Sequence, residues 1–141
     1  MKLEVGMYVR TIKGIFKINE VIDNGVITYE DDFGREWEEE TGRKVIRYIA
    51  KDGWNCGLDE KEILKASHNI IDLIEEGDYV NGLRVEKNKY GELYTSYVYY
   101  GGDIGKMCEV YTTWLKEYKE DEIYSIVTKE QFEMMSYKVV E

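Results

Sequence analysis

The chain has 141 residues, of which 43% are hydrophobic, and it carries a formal net charge of −10 at pH 7. This composition predicts one ordinary domain or two very small ones with a buried core. No apolar run of about 18 residues is present, and the N-terminus lacks the basic-then-apolar order of a signal peptide. The sequence therefore predicts neither a membrane span nor export, and it favours the cytoplasm.

The first 50 residues alternate apolar and polar side chains, as short strands do. Strands are expected at residues 7–12, 15–22, 26–30, 35–39 and 44–50. The Asn-Gly pair at 24–25 favours a hairpin, because both central residues of that turn type need a positive φ. A meander of this size is typical of a small barrel.

Residues 20–40 contain nine acidic side chains against one base, Arg35, which gives this segment a net charge of −8. The remainder of the chain sums to −2. Such a charge distribution favours a basic partner and argues against direct nucleic-acid binding. Crowded like charges predict an exposed face rather than a catalytic pair of carboxylates. The predicted partner-binding carboxylates are Glu30, Asp31, Asp32, Glu36, Glu38, Glu39 and Glu40.

The middle of the chain changes to a helical spacing. Asp59 and Glu62 have the spacing of a helix capping box, and apolar residues recur up to Ile74 before Gly77. From Gly77 the strand pattern resumes, and Thr128 with Gln131 predicts the start of a short helix before a last strand at 137–140. The predicted class is α+β, mainly antiparallel β. Two small SH3-like barrel modules, 1–57 and 77–141, are expected to flank a helical connector, 58–76.

The phrase LEVGMYV at 3–9 recurs as IEEGDYV at 74–80, with a constant offset of 71 residues. It aligns Gly6 with Gly77, where a glycine would supply a bend that a side chain would obstruct, at the start of a strand. The sequence indicates either two related β modules or a coincidence between two common ways of entering a strand.

Two segments, 69–82 and 123–139, resemble short uncharacterised proteins of phages and prophages of Gram-positive bacteria. That resemblance implies an accessory protein in the cytoplasm of a bacterial host. The family has no established catalytic or ligand residues, so the resemblance assigns none here.

No motif in the chain predicts catalysis, a cofactor or a metal. Cys56 and Cys108 lack metal-ligand spacing and the only histidine is His68, so both cysteines are expected to be reduced; a disulfide between them is the alternative. Gly105-Lys106 lacks the first glycine and the hydroxyl of a phosphate-binding loop.

Thirteen tyrosines are the other unusual feature of the composition. Tyr97 and Tyr99 are predicted to share one face of a strand, and Trp114 belongs to the next strand. These three aromatic residues are predicted to form a contact surface, with core packing as the alternative.

The expected function is non-enzymatic. The chain would act as a phage accessory protein that covers a basic surface of a host or anti-phage defence protein, such as a nucleic-acid-binding channel. One alternative is a protein that sequesters a small nucleotide signal through Tyr97, Tyr99 and nearby lysines (Lys87, Lys89 and Lys106). Another is a phage structural or assembly protein.

Overall fold

The computed structural model describes residues 2–50, 52–100 and 108–136. The chain divides into two compact units, Met1–Asn69 and Ile70–Glu141. Both are built from short antiparallel strands, and the one α-helix of the described part is α1 (Lys129–Ser136). The predicted α+β class, mainly antiparallel β with a short C-terminal helix, is therefore confirmed.

The first unit forms two three-stranded sheets and a separate hairpin. Its described strands are β1 (Tyr8–Thr11), β2 (Gly14–Lys17), β3 (Glu20–Ile22), β4 (Val26–Glu30), β5 (Glu36–Glu40), β6 (Val45–Ile49), β7 (Asn55–Asp59) and β8 (Lys65–Ser67). The sheet orders are β2-β1-β8 and β3-β6-β7, while β4 pairs only with β5. The core of the unit lies between the two sheets' central strands, where Val9 of β1 and Ile46 of β6 are fully buried.

The second unit also forms two three-stranded sheets. Its described strands are β9 (Tyr79–Val80), β10 (Leu83–Arg84), β11 (Glu86–Lys87), β12 (Leu93–Tyr100), β13 (Cys108–Trp114) and β14 (Ile126–Val127). The sheet orders are β10-β9-β14 and β11-β12-β13. Among its described residues, the buried apolar ones are Leu73, Ile74, Val80, Val85 and Leu115.

The two units share one connectivity. In each, the opening strand lies between its hairpin partner and the last described strand of the unit, and three of the strands in between form a second sheet. In both units a 3-10 turn directly follows the last strand of the second sheet, at Glu60–Glu62 and at Leu115–Glu117. In the second unit another 3-10 turn, Glu120–Glu122, comes before β14. The units differ in the hairpins associated with their second sheets. The first unit has the additional hairpin β4–β5 between β3 and β6, and the second unit has the long hairpin β12–β13.

A turn before β1 ties the start of the first unit to the end of its first hairpin. Gly6 has a φ of +91°. Its N–H donates to the carbonyl of Ile18 at 2.9 Å, and the N–H of Ile18 donates back to the carbonyl of Met7 at 2.8 Å. The Met7 N–H closes the turn on the carbonyl of Glu4.

The second unit repeats this turn bond for bond. Gly77 has a φ of +94°. Its N–H donates to the carbonyl of Val85 at 2.9 Å, and the Val85 N–H donates to the carbonyl of Asp78 at 2.7 Å. The Asp78 N–H donates to the carbonyl of Glu75. We call residues 4–7 and 75–78 the two glycine turns.

The repeated phrase therefore corresponds to a repeated backbone geometry at the predicted offset of 71 residues. The expected reason for the glycine needs refinement at Gly6, because a Cβ placed there would meet no atom within 4 Å. The requirement is conformational: only glycine adopts this positive φ without strain. Both turns are followed by a fully buried valine, Val9 or Val80, at the centre of a sheet.

Asp78 connects the second glycine turn to the start of α1. Its carboxylate is fully buried, with one oxygen accepting the Glu75 N–H at 2.7 Å and the other accepting the Lys129 N–H at 2.9 Å. Lys129 is the first residue of α1, whose free N–H groups favour a carboxylate. Thr128 and Gln131 form the predicted capping box at the same helix end.

The predicted helical connector over 58–76 is wrong. This stretch holds the end of β7, a 3-10 turn at Glu60–Glu62, β8 and a second 3-10 turn at Ile70–Leu73. Asp59 and Glu62 do form the predicted capping box, but the helix ends after one turn. The reason is tertiary: Lys65–Ser67 supplies the third strand of the first sheet, where Ala66 pairs with Val9.

Two further strand predictions also change. The strand expected at 15–22 is divided, because β2 pairs with β1 whereas β3 pairs with β6, and the chain passes between sheets at Ile18–Asn19. In the described residues the sheets of each unit do not close into a barrel. The strand predicted at 137–140 lies outside the described residues.

Replacing Asp78 with alanine is expected to lower the free energy of unfolding by about 2–4 kcal/mol, because the partly buried N–H groups of Glu75 and Lys129 lose their acceptor. Urea denaturation measures this loss. Glu76→Ala, an exposed change in the same turn region, is the control and should cost little. A loss at Asp78 no larger than that of the control would contradict the assigned role.

Asp59 gives the first unit a pH-dependent contribution to stability. Its carboxylate is 2% exposed and accepts two hydrogen bonds from Arg43, at 2.9 and 2.7 Å. These bonds are the main reason that the pKa of Asp59 lies below its usual value. Because the folded pKa is lowered, the contribution is complete above the unfolded pKa of about 3.9 and is lost as the pH falls through the folded pKa.

Asp59→Asn should therefore cost about 2 kcal/mol at pH 7 and should flatten the fall in stability at pH values below about 4. Urea denaturation of the variant and the parent at several pH values measures both effects. Asp32→Asn, at an exposed position, is the control. If the free energy of unfolding of Asp59→Asn fell with decreasing pH as steeply as that of the parent, this account would be contradicted.

Candidate functional site

The β4–β5 hairpin of the first unit carries most of the predicted partner-binding carboxylates. It forms a two-stranded sheet of its own, with Val26 opposite Glu40 at the base and Glu30 opposite Glu36 near the tip. At the base, the Thr41 N–H and hydroxyl both donate to the carbonyl of Gly25. We call residues 26–40 the acidic hairpin.

The tip of the acidic hairpin is a turn organised by Asp31. One oxygen of this carboxylate accepts the backbone N–H groups of Phe33 and Arg35, and the other pairs with the Arg35 guanidinium at 2.9 Å. The Arg35 N–H is the main cause of the lowered pKa of Asp31. The carboxylate of Asp31 therefore stabilises the turn through its contacts with Phe33 and Arg35. The neighbouring Asp32 is exposed.

Four of the predicted glutamates share one face of the acidic hairpin. Residues two apart in a strand, and residues directly opposite in an antiparallel pair, lie on the same side of a sheet. We call this set the glutamate stripe: Glu30, Glu36, Glu38 and Glu40. All four side chains are exposed, and none has a basic partner within salt-bridge distance among the residues that the structure describes.

The predicted set is thus not one surface. Glu39 lies on the opposite face of β5 with Trp37, which is 48% exposed. Glu39 is also within electrostatic range of Arg43, whose pKa is raised mainly by its hydrogen bond to Asp59 and less by Glu39. Strand alternation therefore divides the seven predicted carboxylates into three groups: the four residues of the glutamate stripe, Glu39 on the opposite face, and Asp31 with Asp32 at the tip.

The charge around the acidic hairpin is less uniform than the sequence totals indicate. Outside residues 20–40 the first unit has ten bases against five acids, a net of +5, whereas the second unit has a net of −7. These two values nearly cancel, and for that reason the chain outside residues 20–40 sums to only −2. The charge of the first unit is therefore unevenly distributed along its chain, with −8 in residues 20–40 and +5 in the remainder of the unit.

The predicted aromatic residues lie on the long β12–β13 hairpin of the second unit. Tyr97 pairs with Tyr111, and their rings stack with centroids 5.2 Å apart. Trp114 instead pairs with Tyr94 on the other face, in an edge contact at 5.6 Å. The prediction that Tyr97 and Trp114 form one contact surface is therefore wrong, because the register places them on opposite faces. The side chain of Tyr99 lies outside the described part.

Both faces of this hairpin are exposed beyond its base. At the base, Thr95 is buried and its hydroxyl is 2.7 Å from the Tyr118 hydroxyl. Further out, Tyr97 and Tyr111 are 48% and 44% exposed on one face, and Val98 and Val110 are 46% and 64% exposed on the other. We call residues 96–100 and 108–112 the aromatic arm. Val98 and Val110 are not among the predicted contact residues, although strand alternation along CEVYTTW places Val110 on the face opposite Tyr111.

Two of the three lysines expected to assist nucleotide stacking, Lys87 and Lys89, lie away from the exposed tyrosines. Lys87 is opposite Leu93, at the base of the hairpin, and Lys89 lies over the ring of Tyr90. Lys106 is outside the described residues. Because Tyr97 is four residues along β12 from Leu93, about 13 Å separates the two positions.

The remaining chemistry-bearing residues form local contacts. Cys56 is a free thiol, and His68 lies 3.1 Å from Glu4, whose pKa is lowered chiefly by that hydrogen bond. Residues 2–50, 52–100 and 108–136 contain no group of three potential metal ligands. Over the same ranges, no helix has the length and apolar character needed to cross a bilayer.

Comparisons with protein-family models, curated proteins and solved structures find no match for this chain. The phage and prophage setting indicated by residues 69–82 and 123–139 therefore stays a prediction.

Proposed function

We propose that this protein is a non-catalytic binding protein whose acidic hairpin covers a basic surface on a partner protein. The observation that carries the proposal is the glutamate stripe. Four exposed carboxylates line one face of a separate two-stranded sheet, and the described part of the chain places no cation against them. A partner that supplies cations would relieve their mutual repulsion and gain charge-assisted hydrogen bonds.

The stripe works against the stability of its own hairpin. Glu30 and Glu36 are directly opposite each other, and like charges in that position are destabilising. Glutamate also has a low preference for strands. A hairpin selected only to connect β3 with β6 would avoid this arrangement, so we attribute the stripe to binding.

The spacing of the stripe favours a partner that normally binds a polyanion. Glu36, Glu38 and Glu40 are two residues apart along β5, so successive carboxylates are separated by about 6.8 Å. This is of the order of the distance between neighbouring phosphates along a nucleic-acid strand. We therefore propose a nucleic-acid-binding channel or surface as the covered region of the partner.

We infer that each unit is a variant of the SH3-like module. The inference is supported by the shared strand order and by the 3-10 turn that directly follows the last strand of the second sheet in each unit. In such a module the loops are free to lengthen while the sheets keep their pairing. The acidic hairpin would then be a binding loop presented on such a module.

The setting that we propose is the cytoplasm of a bacterial cell carrying a phage or prophage. Its support is the resemblance of residues 69–82 and 123–139 to short phage proteins. A host or anti-phage defence protein with a basic groove would then be the partner.

The test removes the charges of β5 without changing its length. Replacing Glu36, Glu38, Glu39 and Glu40 with glutamine should weaken binding by at least about tenfold and should reduce the salt dependence of the dissociation constant. Partners are captured from lysate of phage-carrying bacteria on the immobilised parent protein, and their affinities for both proteins are measured at several salt concentrations.

A variant of equal net charge controls for non-specific acidity. It combines Glu76→Gln, Glu117→Gln, Asp121→Asn and Glu133→Gln, all at exposed positions of the second unit. Capture of the same basic protein by the parent and this control, but not by the hairpin variant, is expected. Equal capture by all three proteins would contradict the proposal.

A further inference from the structure

Three hairpins in the described residues end in the same five-residue turn, and one of them is the acidic hairpin. The turns are 31–35, 50–54 and 88–92. In each, the N–H of the first residue donates to the carbonyl of the fifth. The fourth residue is a glycine at positive φ, and its N–H donates to the carbonyl of the first. The three turns therefore close through the same backbone bonds.

The third position of this turn does not require an aromatic side chain. It is occupied by Phe33, Asp52 and Tyr90 in the three turns. Because the turn at 50–54 closes with Asp52 there, the ring of Phe33 is not needed for closure. Phe33 is 82% exposed, the largest fraction among the large hydrophobic side chains of the described residues, so it adds little burial to the first unit. The fold alone therefore does not account for this ring.

The turn nevertheless holds Phe33 in a defined position. Its N–H donates to the carboxylate of Asp31 at 2.9 Å. The Arg35 guanidinium pairs with the same carboxylate and lies over the phenyl ring, 5.3 Å from its centroid. A group whose surroundings are already ordered loses less entropy when it binds. A single exposed apolar residue is ordinary, but this one is preorganised.

Phe33 also lies at the end of the glutamate stripe. Glu30 and Glu36 are the last opposed pair before the tip, and Phe33 is three residues from each, which is at most about 10 Å of chain. A partner bound along the stripe is therefore within reach of the ring. Aromatic residues are enriched in the buried centre of protein interfaces, whereas charged residues steer and orient the partner.

The charges beside the ring favour a protein over a membrane as its binding partner. An anionic bilayer would be repelled by the carboxylates of the stripe. A basic protein surface is attracted by the same carboxylates and can carry apolar side chains beside its cations.

We propose that Phe33 is the apolar anchor of the acidic hairpin, and that it contacts apolar side chains at the end of a row of cations on the partner protein. This inference rests on the proposed function, since the glutamate stripe brings the cations to the hairpin. The two contributions respond differently to salt, because ion pairing is screened and burial of a phenyl ring is not. Phe33 thus determines which basic surface is bound, and the stripe determines that it is basic.

Two basic peptides of equal length and charge serve as probes of this partner chemistry. Both alternate lysine with alanine, so that in extended form their lysines have the two-residue spacing of the stripe. One ends in alanine on both sides and the other in tryptophan. In calorimetric titrations at low and high salt, the parent protein is expected to bind the tryptophan peptide about three- to tenfold more tightly. Phe33→Ala should bind both peptides equally, and Phe33→Trp should restore the preference.

Tyr90→Ala is the matched control. Tyr90 has the same position in the turn at 88–92, is 75% exposed and has the Lys89 ammonium 5.1 Å from its ring centroid, but its hairpin has no glutamate stripe. This variant should keep the preference for the tryptophan peptide. Phe33 and Tyr90 are both exposed, so thermal melting should show that each variant is folded.

The outcomes separate this inference from the proposed function. Replacing Glu36, Glu38 and Glu40 with glutamine should weaken the binding of both peptides. If the parent binds neither peptide in a salt-dependent manner, the proposed function fails and this inference fails with it. If it binds both with equal affinity, or if Phe33→Ala keeps the preference or Tyr90→Ala loses it, only the anchor is overturned. Binding of the parent, but not of Phe33→Ala, to phosphatidylcholine vesicles would also overturn it, because the ring would then enter a bilayer.

Discussion

A glycine at positive φ opens each unit, and the first sheet of each unit depends on the turn it makes. In each unit the glycine N–H donates to the carbonyl of one residue, and the N–H of that residue donates back to the carbonyl of the residue after the glycine. The residue bonded in this way is Ile18 in the first unit and Val85 in the second. That residue is buried and marks the point where the chain leaves one sheet for the other. Without the turn, the opening strand would lose its register with both neighbours.

The main differences between the units lie in hairpins that extend from the shared sheet order. Each unit keeps the same two sheets, so added residues extend outward rather than into the core. In the first unit the added loop is the acidic hairpin, and in the second it is the aromatic arm. The charges and aromatic rings that the sequence concentrates in two segments thus lie on two separate hairpins.

Much of this arrangement is predictable from local sequence. The repeat at Gly6 and Gly77, the capping residues Thr128 and Gln131, and the exposure of the glutamates all follow from short-range patterns. The helix expected after Asp59 does not form, because pairing with β1 competes for residues 65–67 and no local pattern reports that competition. Register likewise depends on partners distant in sequence, and for that reason Trp114 lies away from Tyr97.

The claim that the glycine turns set the fold is tested most directly by adding one methyl group. Gly6→Ala places its Cβ in open space, so any loss of stability comes from the positive φ alone and should be about 1–2 kcal/mol. Gly57→Ala, in β7 at an ordinary φ with only van der Waals contact to Val45, is the control and should cost less. Denaturation midpoints for Gly6→Ala that match the parent protein would contradict the account.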